Sequence, residues 1–457
     1  MTVIRPNSIS GINSITGFGG DISIFRADGT VADVTVNNIT SSIITATHYG
    51  SGANLTNLPA ANITGTLPAI DGSALTGINT AFGNSSVNTS GIITATAFIP
   101  SSGQLSNRNI IINGDFRIAQ RGSSSTSSGY HTVDRFQVNN SGTNEAPTQA
   151  QVDVASGTTP YSLGFRKALK VTNGNQTSGA GASDFIRTLY YIEAQDLANS
   201  GWNYKSSSSF ITLSFWVKAS VAQTYYTNFR TFDGTGKMYY FSYTLSANTW
   251  TKVTHTIPGH ADISFDNDNG QGMYIQWYQF RGTNNTGTVT ANQWNNLATS
   301  TLTPDQDSTW YTTNDATWEM TGVQLEVGDT ATTFEHRLLS DELLRCYRYY
   351  YRLKGEDNKT YMIGMSDNDN VNIYGFFHFP VEMRIPPASI EQNGTASHYK
   401  VRRDTTKSCT GVPTYIDSRV FYCRVNFPSS GHGWGTGQML WCQGGNSSSY
   451  IGFPAEL

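Results

Sequence analysis

Four residues near the end of the sequence have side chains suited to contact with a sugar. A pyranose ring stacks on a flat aromatic side chain, and polar groups bond to its hydroxyls. Trp434 and His432 lie between glycines in FPSSGHGWGTGQ, which has the composition of an exposed loop, and Tyr450 and Asn446 follow it. We therefore predict a glycan-binding site in this region; the alternative is a loop that folds back over a core.

A fifth candidate, Trp216, lies in the segment FITLSFWVKA. Ile211, Leu213, Phe215 and Val217 recur there at every second position, which is typical of a half-buried strand. Trp216 belongs to the opposite face of the same strand. We expect it to lie on an outer surface or at an interface, where it is a second candidate for ligand contact.

The motifs of several enzyme classes are missing from this sequence. No HExxH, GxSxG or phosphate-loop motif occurs, and the eight histidines are dispersed, which argues against metal-dependent hydrolysis, acyl transfer and phosphate chemistry. A glycosidase needs only two carboxylates about 5 to 10 Å apart, which no sequence pattern identifies. We expect a protein that is not an enzyme and binds no cofactor, with polysaccharide depolymerisation as the alternative.

Two acidic clusters, DISFDNDNG from Asp262 and SDNDN from Ser366, raise the question of calcium. Neither has the glycine at the sixth position that the helix-loop-helix calcium site requires. Tight turns account for both clusters better than a metal site does. Metal binding therefore stays open at this stage.

The composition excludes several kinds of partner. Charged residues make up 14% of the chain, against roughly 25% in an ordinary globular protein. The formal charge is −4 and no basic cluster is present, so we expect no nucleic acid partner. No run approaches the roughly 20 apolar residues of a membrane span, and the start MTVIRPNSISG lacks the apolar core of a signal peptide. We expect no membrane insertion and assembly in a cytoplasm.

The four cysteines are Cys346, Cys409, Cys423 and Cys442. They are too few and too scattered for a disulfide framework, and none forms a CxxC pair. Buried free thiols are the expectation. A bridge from Cys409 or Cys423 to Cys442 is the alternative.

The region 41–107 is repetitive and almost free of charge. IITATHYGSGANLTNL, from Ile43, returns as IITATAFIPSSGQLSN, from Ile92, and Asp71 is the only charged residue between Val34 and Asn107. Each repeat has too few apolar residues to bury a core alone, and repeats of this kind become stable by stacking on copies of themselves. We predict a repetitive β shaft in a homotrimer; the alternative is a disordered linker.

The rest of the chain predicts an all-β fold in two parts. Several strand-length segments with period-two alternation and Gly, Asn and Asp turns indicate a jelly-roll β-sandwich over 108–337. SDELLRCYRYYYRL predicts a connecting helix within 338–354, with Ser340 as its N-cap. Strands resume in a small C-terminal β domain over 355–457.

Several phrases of the sequence resemble a family of bacteriophage tail-fibre and receptor-binding proteins. They are NRNIIINGDFRIAQRG, TVDRF and GVQLEVGDTATTFEHRLLSDELLRCYRYYYR, with FPVEMRIPPA and IGFPAEL similar to the distal domain of such fibres. Members of that family resemble jelly-roll carbohydrate-binding modules. The shaft repeat is similar to one in structural proteins of phages that infect cyanobacteria.

The resemblance implies a homotrimeric tail fibre of a virion that binds polysaccharide on the host cell surface. Its segment 1–40 would attach to tail or baseplate proteins, and its C-terminal domain would lie at the distal tip. The resemblance to carbohydrate-binding modules also implies a structural calcium near the NGDF strand, involving Asp115 and Glu319. A depolymerase fibre and a capsid decoration fibre without host affinity are the alternatives.

Overall fold

The computed structural model describes Thr30 and residues 106–457. The predicted attachment segment, 1–40, and the predicted shaft, 41–107, therefore lie almost wholly outside the described residues. Within the described part, every strand ladder is antiparallel. The expected all-β class is confirmed.

The sandwich contains twelve strands. In chain order they are β1 (Ser124–Ser125), β2 (Phe136–Ser141), β3 (Thr148–Asp153), β4 (Lys167–Thr172), β5 (Phe185–Glu193), β6 (Phe210–Ala219), β7 (Gln223–Thr231), β8 (Lys237–Leu245), β9 (Thr251–Pro258), β10 (Gln271–Arg281), β11 (Trp294–Asn296) and β12 (Thr317–Val327). Sheet A has the order β1-β3-β4-β12-β6-β9 and sheet B the order β11-β8-β7-β10-β5-β2. From β2 onward the chain passes repeatedly between the two sheets, as in jelly-roll sandwiches.

The inward faces of the two sheets form one hydrophobic core. In β6, Leu213, Phe215 and Val217 are 0% exposed, so the alternation read from the sequence is confirmed. His255 of β9 also points into the sandwich, where its ring stacks on Phe241 of β8 at 4.0 Å. Burial lowers the pKa of His255 to about 4, which keeps the imidazole neutral at physiological pH.

A tight turn at NGDF fastens the start of the sandwich to sheet A. Asn113 and Phe116 adopt positive φ angles of 61° and 56°, and the Asn113 side chain accepts a hydrogen bond from the Ile118 N–H at 3.0 Å. The Gly114 carbonyl accepts the N–H of Val323 in β12 at 2.8 Å. A Cβ at Gly114 would come within 2.1 Å of the Val323 carbonyl oxygen, so this contact requires glycine.

Four helices occur in the described residues: α1 (Thr159–Ser162), α2 (Ala194–Ala198), α3 (Thr309–Thr312) and α4 (Leu339–Tyr347). The predicted connecting helix corresponds to α4, which is shorter than expected. Its N-cap is Leu338 and not Ser340, and no side chain caps it. The chain after it forms a strand because residues 350–354 pair with the end of the chain. None of these helices is long and apolar enough to cross a membrane.

The C-terminal domain contains nine strands. They are β13 (Tyr350–Lys354), β14 (Thr360–Ser366), β15 (Ile373–His378), β16 (Tyr399–Arg402), β17 (Thr406–Ser408), β18 (Thr414–Arg419), β19 (Tyr422–Asn426), β20 (Met439–Gly444) and β21 (Tyr450–Pro454). Seven form sheet C, in the order β17-β16-β20-β14-β15-β19-β18, and β13 and β21 form a two-stranded ribbon. Residues of the ribbon and of one face of sheet C share a second hydrophobic core.

A buried ion-pair network joins this domain to the sandwich. The carboxylate of Glu456 accepts hydrogen bonds from Arg135 at 3.0 Å and from Arg121 at 3.2 Å. The Arg135 side chain is 1% exposed, and its guanidinium lies 3.4 Å from the centre of the Tyr349 ring. The end of the chain is therefore held at the junction with the sandwich.

All four cysteines are free and buried. Burial raises the pKa of the Cys346 and Cys442 thiols well above the usual value. The preferred prediction of buried free thiols is confirmed, and the alternative bridge to Cys442 is wrong.

Candidate functional site

The rings of Trp434 and His432 do not face solvent, although the glycines around them are exposed. Trp434 is 8% exposed and belongs to the core of the C-terminal domain, and His432 is 2% exposed. The two rings stack at 5.4 Å, and the Trp434 indole N–H donates to Asp404 at 3.0 Å. Gly433, at a φ of +74°, lets the backbone turn both rings inward. The expectation of exposed aromatics is wrong here, and the alternative of a folded-back loop describes the structure.

Tyr450 and Asn446 have structural contacts of their own. Tyr450 is half-buried in β21 with the guanidinium of Arg352 over its ring at 3.6 Å. The Asn446 side-chain oxygen accepts the N–H groups of Ser448 and Ser449 in a turn. None of the hydrogen bonds of residues 106–457 joins these two residues to Trp434 or His432. The structure does not bring the four into one site.

Trp216 lies on the outer face of sheet A, as its strand pattern predicts. It packs in a small apolar cluster that includes Phe165 and Phe334, whose rings are 4.9 Å apart. A cavity of about 240 Å³ is lined by these three aromatics together with Lys252 and His336. The cavity keeps Trp216 available as a ligand contact, and that role stays a prediction.

The outer face of sheet B carries a different surface, which we call the Tyr–Arg face. Pairing between β8, β7, β10, β5 and β2 places its side chains in three rows across the sheet. The rows are Met238, Arg230, Tyr274 and Tyr191; Tyr240, Asn228, Gln276, Leu189 and Gln137; and Ser242, Tyr226, Tyr278, Arg187 and Asn139. Tyrosines, amides and guanidinium groups therefore alternate over one continuous sheet surface.

Some aromatic rings of the Tyr–Arg face are partly accessible, whereas Tyr240, Tyr274 and Tyr278 are only 0% to 5% exposed. Tyr191, Tyr226 and Phe232 are half-buried. Tyr274 meets Tyr191 edge-on at 5.8 Å and Phe232 edge-on at 5.3 Å. This cluster of three rings gives the face an apolar platform flanked by polar side chains.

Several polar atoms of the face have no hydrogen-bond partner within the described residues. Asn139 Oδ1, Asn228 Oδ1 and Gln276 Nε2 are buried atoms without a hydrogen-bond partner. The Nε atoms of Arg187 and Arg230 are also buried and have no hydrogen-bond partner. Buried polar atoms in folded proteins are nearly always paired, so this concentration of unpaired atoms on one surface marks it as a place for a bound ligand.

The segment after β10 covers one side of the face. The Asn228 amide donates to the Leu302 carbonyl at 3.2 Å, and the Tyr240 hydroxyl donates to the Val289 carbonyl at 2.9 Å. On the other side, Arg187, Tyr191 and Asn139 remain half-exposed. The accessible part of the face therefore lies over β5 and β2 and extends to Arg230 and Phe232 at the end of β7, which are also half-exposed.

Burial shifts the pKa values of several tyrosines and of one arginine on the face. It raises the pKa of Tyr274 and Tyr278, against the opposing effect of nearby arginines, so their hydroxyls stay protonated and can donate. Burial also lowers the pKa of Arg281, and the positive charge of Arg187 adds to that effect. The guanidinium of Arg281 lies 5.8 Å from the Tyr278 ring centre, on the same face.

The residues suggested for calcium have cationic partners. Asp115 forms an ion pair with Arg117, and Glu319 forms one with Lys218 at 3.0 Å. Among residues 106–457, no three His, Cys, Asp or Glu side chains lie close enough together to hold a metal ion. The described residues thus offer no support for the calcium implied by the resemblance.

Comparisons with known proteins give weak similarities. No family profile and no curated protein matches the chain. Among solved structures, the enzymatically active domain of tailspike protein 4 of bacteriophage CBA120 is similar at 11% identity over 48% of this chain, with a TM-score of 0.27. This chain spans only 21% of that tailspike chain.

Two sugar-binding structures are similar at the same level. The N-terminal cellulose-binding domain of Cellulomonas fimi β-1,4-glucanase C is 11% identical over 47% of this chain and 99% of its own, with a TM-score of 0.24. A putative sugar-binding protein from Bacteroides thetaiotaomicron is 12% identical over 48% and 99%, with a TM-score of 0.25. TM-scores this low do not assign a fold. The description of the sandwich as a jelly roll is therefore based on the strand order of its two sheets.

The Tyr–Arg face was missed in the sequence, although its signal is present. GMYIQWYQF predicts a strand, which is β10, with Met273, Ile275 and Trp277 on its core face. Tyr274 and Gln276 alternate with them and point to the opposite face. Two outward positions that combine an aromatic ring with an amide are the pattern that indicates a binding surface.

Proposed function

We propose that this chain is the tail fibre of a virion and that its sandwich binds glycans of the host cell surface through the Tyr–Arg face. The observation that carries the proposal is the platform of Tyr191, Phe232 and Tyr274 beside polar atoms that lack a protein partner. A sugar offers an apolar ring face and a rim of hydroxyls, which match such a surface.

The fibre role rests on the sequence. The repeats of 41–107 and the phrases shared with tail-fibre proteins support an elongated virion protein attached through its N-terminal segment to tail or baseplate proteins. Binding without turnover is the proposed activity. Release of shorter oligosaccharides from host polysaccharide would favour the depolymerase alternative.

Adsorption of labelled full-length protein to susceptible and resistant cells tests the glycan-binding role. We expect saturable binding to susceptible cells only, and Tyr191→Ala should weaken it about ten- to a hundredfold, because an aromatic contact at a binding hot spot contributes about 1 to 3 kcal/mol. Tyr204→Ala is the matched control, since Tyr204 is also half-buried in the sandwich and edge-on to two aromatic rings, at 6.2 and 4.9 Å.

Equal adsorption by Tyr191→Ala and the parent would contradict the placement of the site on this face. Trp216→Ala should be tested beside it. A loss confined to Trp216→Ala would move the site to the cavity on the outer face of sheet A.

We also propose that copies of the chain meet through an apolar face of sheet C, as a homotrimer. This sheet C apolar face consists of Ile363, Met365, Phe376, Met439 and Trp441, which are 47% to 68% exposed. Ile363 pairs across the sheet with both Phe376 and Trp441, and Met365 pairs with Met439. The five side chains therefore form one patch on three neighbouring strands.

The size of the patch fits an interface between copies. An aromatic side chain has about 150 to 250 Å² to bury, so five large side chains at half exposure present on the order of 400 Å². A specific interface hides about 800 Å² on each partner, with an apolar centre and a polar rim. Arg402 and the Arg424–Asp417 ion pair border the patch and supply both charges of such a rim.

Cysteine cross-linking tests this contact, because all four native thiols are buried. We expect Met439→Cys in the full-length chain to give covalent multimers with a short bismaleimide. Leu344→Cys, at a similarly exposed leucine of α4 (45%), should remain uncross-linked. A monomeric mass by light scattering would overturn the homotrimer, and an oligomer in which the Met439→Cys variant cross-links no better than the Leu344→Cys variant would place the contact elsewhere.

A further inference from the structure

We infer that the Tyr–Arg face takes an acidic saccharide, one that carries carboxylate or sulfate groups. The inference rests on the proposed glycan-binding function and adds the chemical class of the glycan. It is carried by three arginines, Arg187, Arg230 and Arg281, which project from this one surface. Arg187 and Arg230 are neighbours of the accessible rings, and Arg281 follows at the end of β10.

Within the described residues, these three arginines have no carboxylate partner, in contrast to several other arginines of the protein. Arg384 also forms no ion pair there and donates to carbonyl oxygens instead. Arg121, Arg135 and Arg348 each form an ion pair with a glutamate at 2.8 to 3.3 Å. In the described part of the chain, none of the ion pairs involves the three arginines of the Tyr–Arg face. Their positive charge is therefore not neutralised by the protein.

Aromatic rings and one amide hold the three guanidinium groups in place instead, since Arg187 also donates from Nη1 to Gln276 Oε1 at 3.0 Å. Arg230 lies 4.8 Å from the Phe232 ring centre, and Arg187 and Arg281 lie 4.9 and 5.0 Å from that of Phe185. Stacking orders a guanidinium without using up its N–H donors. Arginine also presents its donors in a planar fork that matches carboxylate and sulfate oxygens. The arrangement is thus a set of ordered cations with donors to spare.

The unpaired atoms of the face include both donors and acceptors. Arg187 Nε, Arg230 Nε and Gln276 Nε2 are buried donors without a partner. Asn139 Oδ1 and Asn228 Oδ1 are unpaired acceptors in the same rows as Arg187 and Gln276. Arg187, Arg230 and Asn139 are partly exposed, whereas Asn228 and Gln276 are 0% exposed. The accessible set therefore suits an acidic sugar, whose anionic oxygens would accept from the two arginines and whose hydroxyls would donate to Asn139.

The positive charge is local and does not reflect a basic protein. The whole chain has a formal charge of −4. Asp305 lies near Tyr226 at one side of the face, where its charge adds to the rise in the pKa of Tyr226 that burial causes. A neutral glycan could contact the rings and the amides of the face. It would have no negative charge to pair with the three arginines.

Pairs of polysaccharides that differ only in charge provide the test. Full-length protein is examined by affinity electrophoresis in polygalacturonate, alginate and chondroitin sulfate, each beside its carboxyl-reduced or desulfated form. We expect retardation by at least one acidic polymer, at least tenfold weaker retardation by its neutral form, and weakening between 50 and 200 mM salt.

Two variants assign the effect to the face. Arg187→Gln and Arg230→Gln should each lower affinity for the acidic polymer at least tenfold while the melting temperature stays unchanged. Arg166→Gln is the matched control, because Arg166 also stacks on a tyrosine, Tyr161, at 3.9 Å, but lies outside the face. The control should bind like the parent.

Four outcomes overturn the inference. Equal binding to acidic and neutral forms would leave glycan binding standing and remove only the preference for charge. Absence of binding to every acidic polymer, with adsorption to cells still dependent on Tyr191, would show that the cell-surface glycan is neutral. Equal affinity for single-stranded DNA would mean non-specific attraction of polyanions, and equal loss in Arg166→Gln would exclude this face.

Discussion

Gly114→Ala is expected to prevent stable folding of the sandwich at physiological temperature. The added Cβ would lie 2.1 Å from the carbonyl oxygen of Val323 and 3.1 Å from its carbonyl carbon. Both are backbone atoms of β12, which pairs with β4 and β6 in the middle of sheet A. Val323 lies at the register irregularity of β12 between Thr321 and Gln324, and its carbonyl oxygen accepts the buried Asn109 side-chain amide at 3.1 Å. Moving that carbonyl breaks this hydrogen bond and shifts the strand, so we expect a loss above about 4 kcal/mol, which is exceptional for one substitution.

Circular dichroism melting of the full-length chain measures this effect. A loss of this size should lower the melting temperature by about 10 °C or more. Gly435→Ala is the control, because nothing lies within 4 Å of a Cβ there and its φ is not in the left-handed region. Equal melting temperatures for the two variants would show that the turn at Gly114 can move away from β12.

Glu456→Ala should produce the second large loss of stability. The variant removes the carboxylate that pairs with Arg135, whose side chain is 1% exposed, and leaves a buried guanidinium without a counter-charge. Breaking a buried ion pair by removing one partner costs about 3 to 5 kcal/mol. Arg121 keeps Glu391 at 3.3 Å, so the cost comes mainly from Arg135.

Scanning calorimetry of the full-length chain checks this expectation. Asp153→Ala is the control, because the Asp153–Lys167 pair is 2.6 Å long but exposed, and exposed pairs contribute at most about 1 kcal/mol. A Glu456→Ala variant as stable as Asp153→Ala would show that the junction does not depend on this carboxylate.

The strands were predictable from the sequence where the pattern is local. In β6 and β10 the members of the hydrophobic core recur at every second position, although most of the alternate positions are buried as well, by neighbouring segments. The end of α4 was not predictable in this way. Helical spacing continues through Tyr350, but this residue pairs with Pro454 in the ribbon, and such a long-range pairing leaves no mark in the local sequence.

The candidate site was harder to predict than the fold. Glycines around Trp434 indicate a loop, but they do not show whether its rings face solvent or a core. The structure shows that Asp404 offers the indole N–H a partner across the domain. Tyr274 presents a different difficulty, because strand alternation places it on the outward face but does not show which residues lie beside it. Only the pairing of β10 with β5 and β7 brings it beside Tyr191 and Arg230.

The ribbon of β13 and β21 makes the C-terminal domain an exchangeable unit. The chain passes from the ribbon towards sheet C after Lys354 and returns to the ribbon at Tyr450. These two residues are direct cross-strand partners. Any domain whose two ends emerge on neighbouring antiparallel strands can be joined at the same points. Glu456 and Arg135 would stay in place, whereas the new domain would have to replace the Arg121–Glu391 ion pair, the contacts of Arg384 with Asn269 and Ala455, and the packing of the ribbon against sheet C. Recombination at the ribbon can therefore change one end of the protein while the sandwich keeps its sequence.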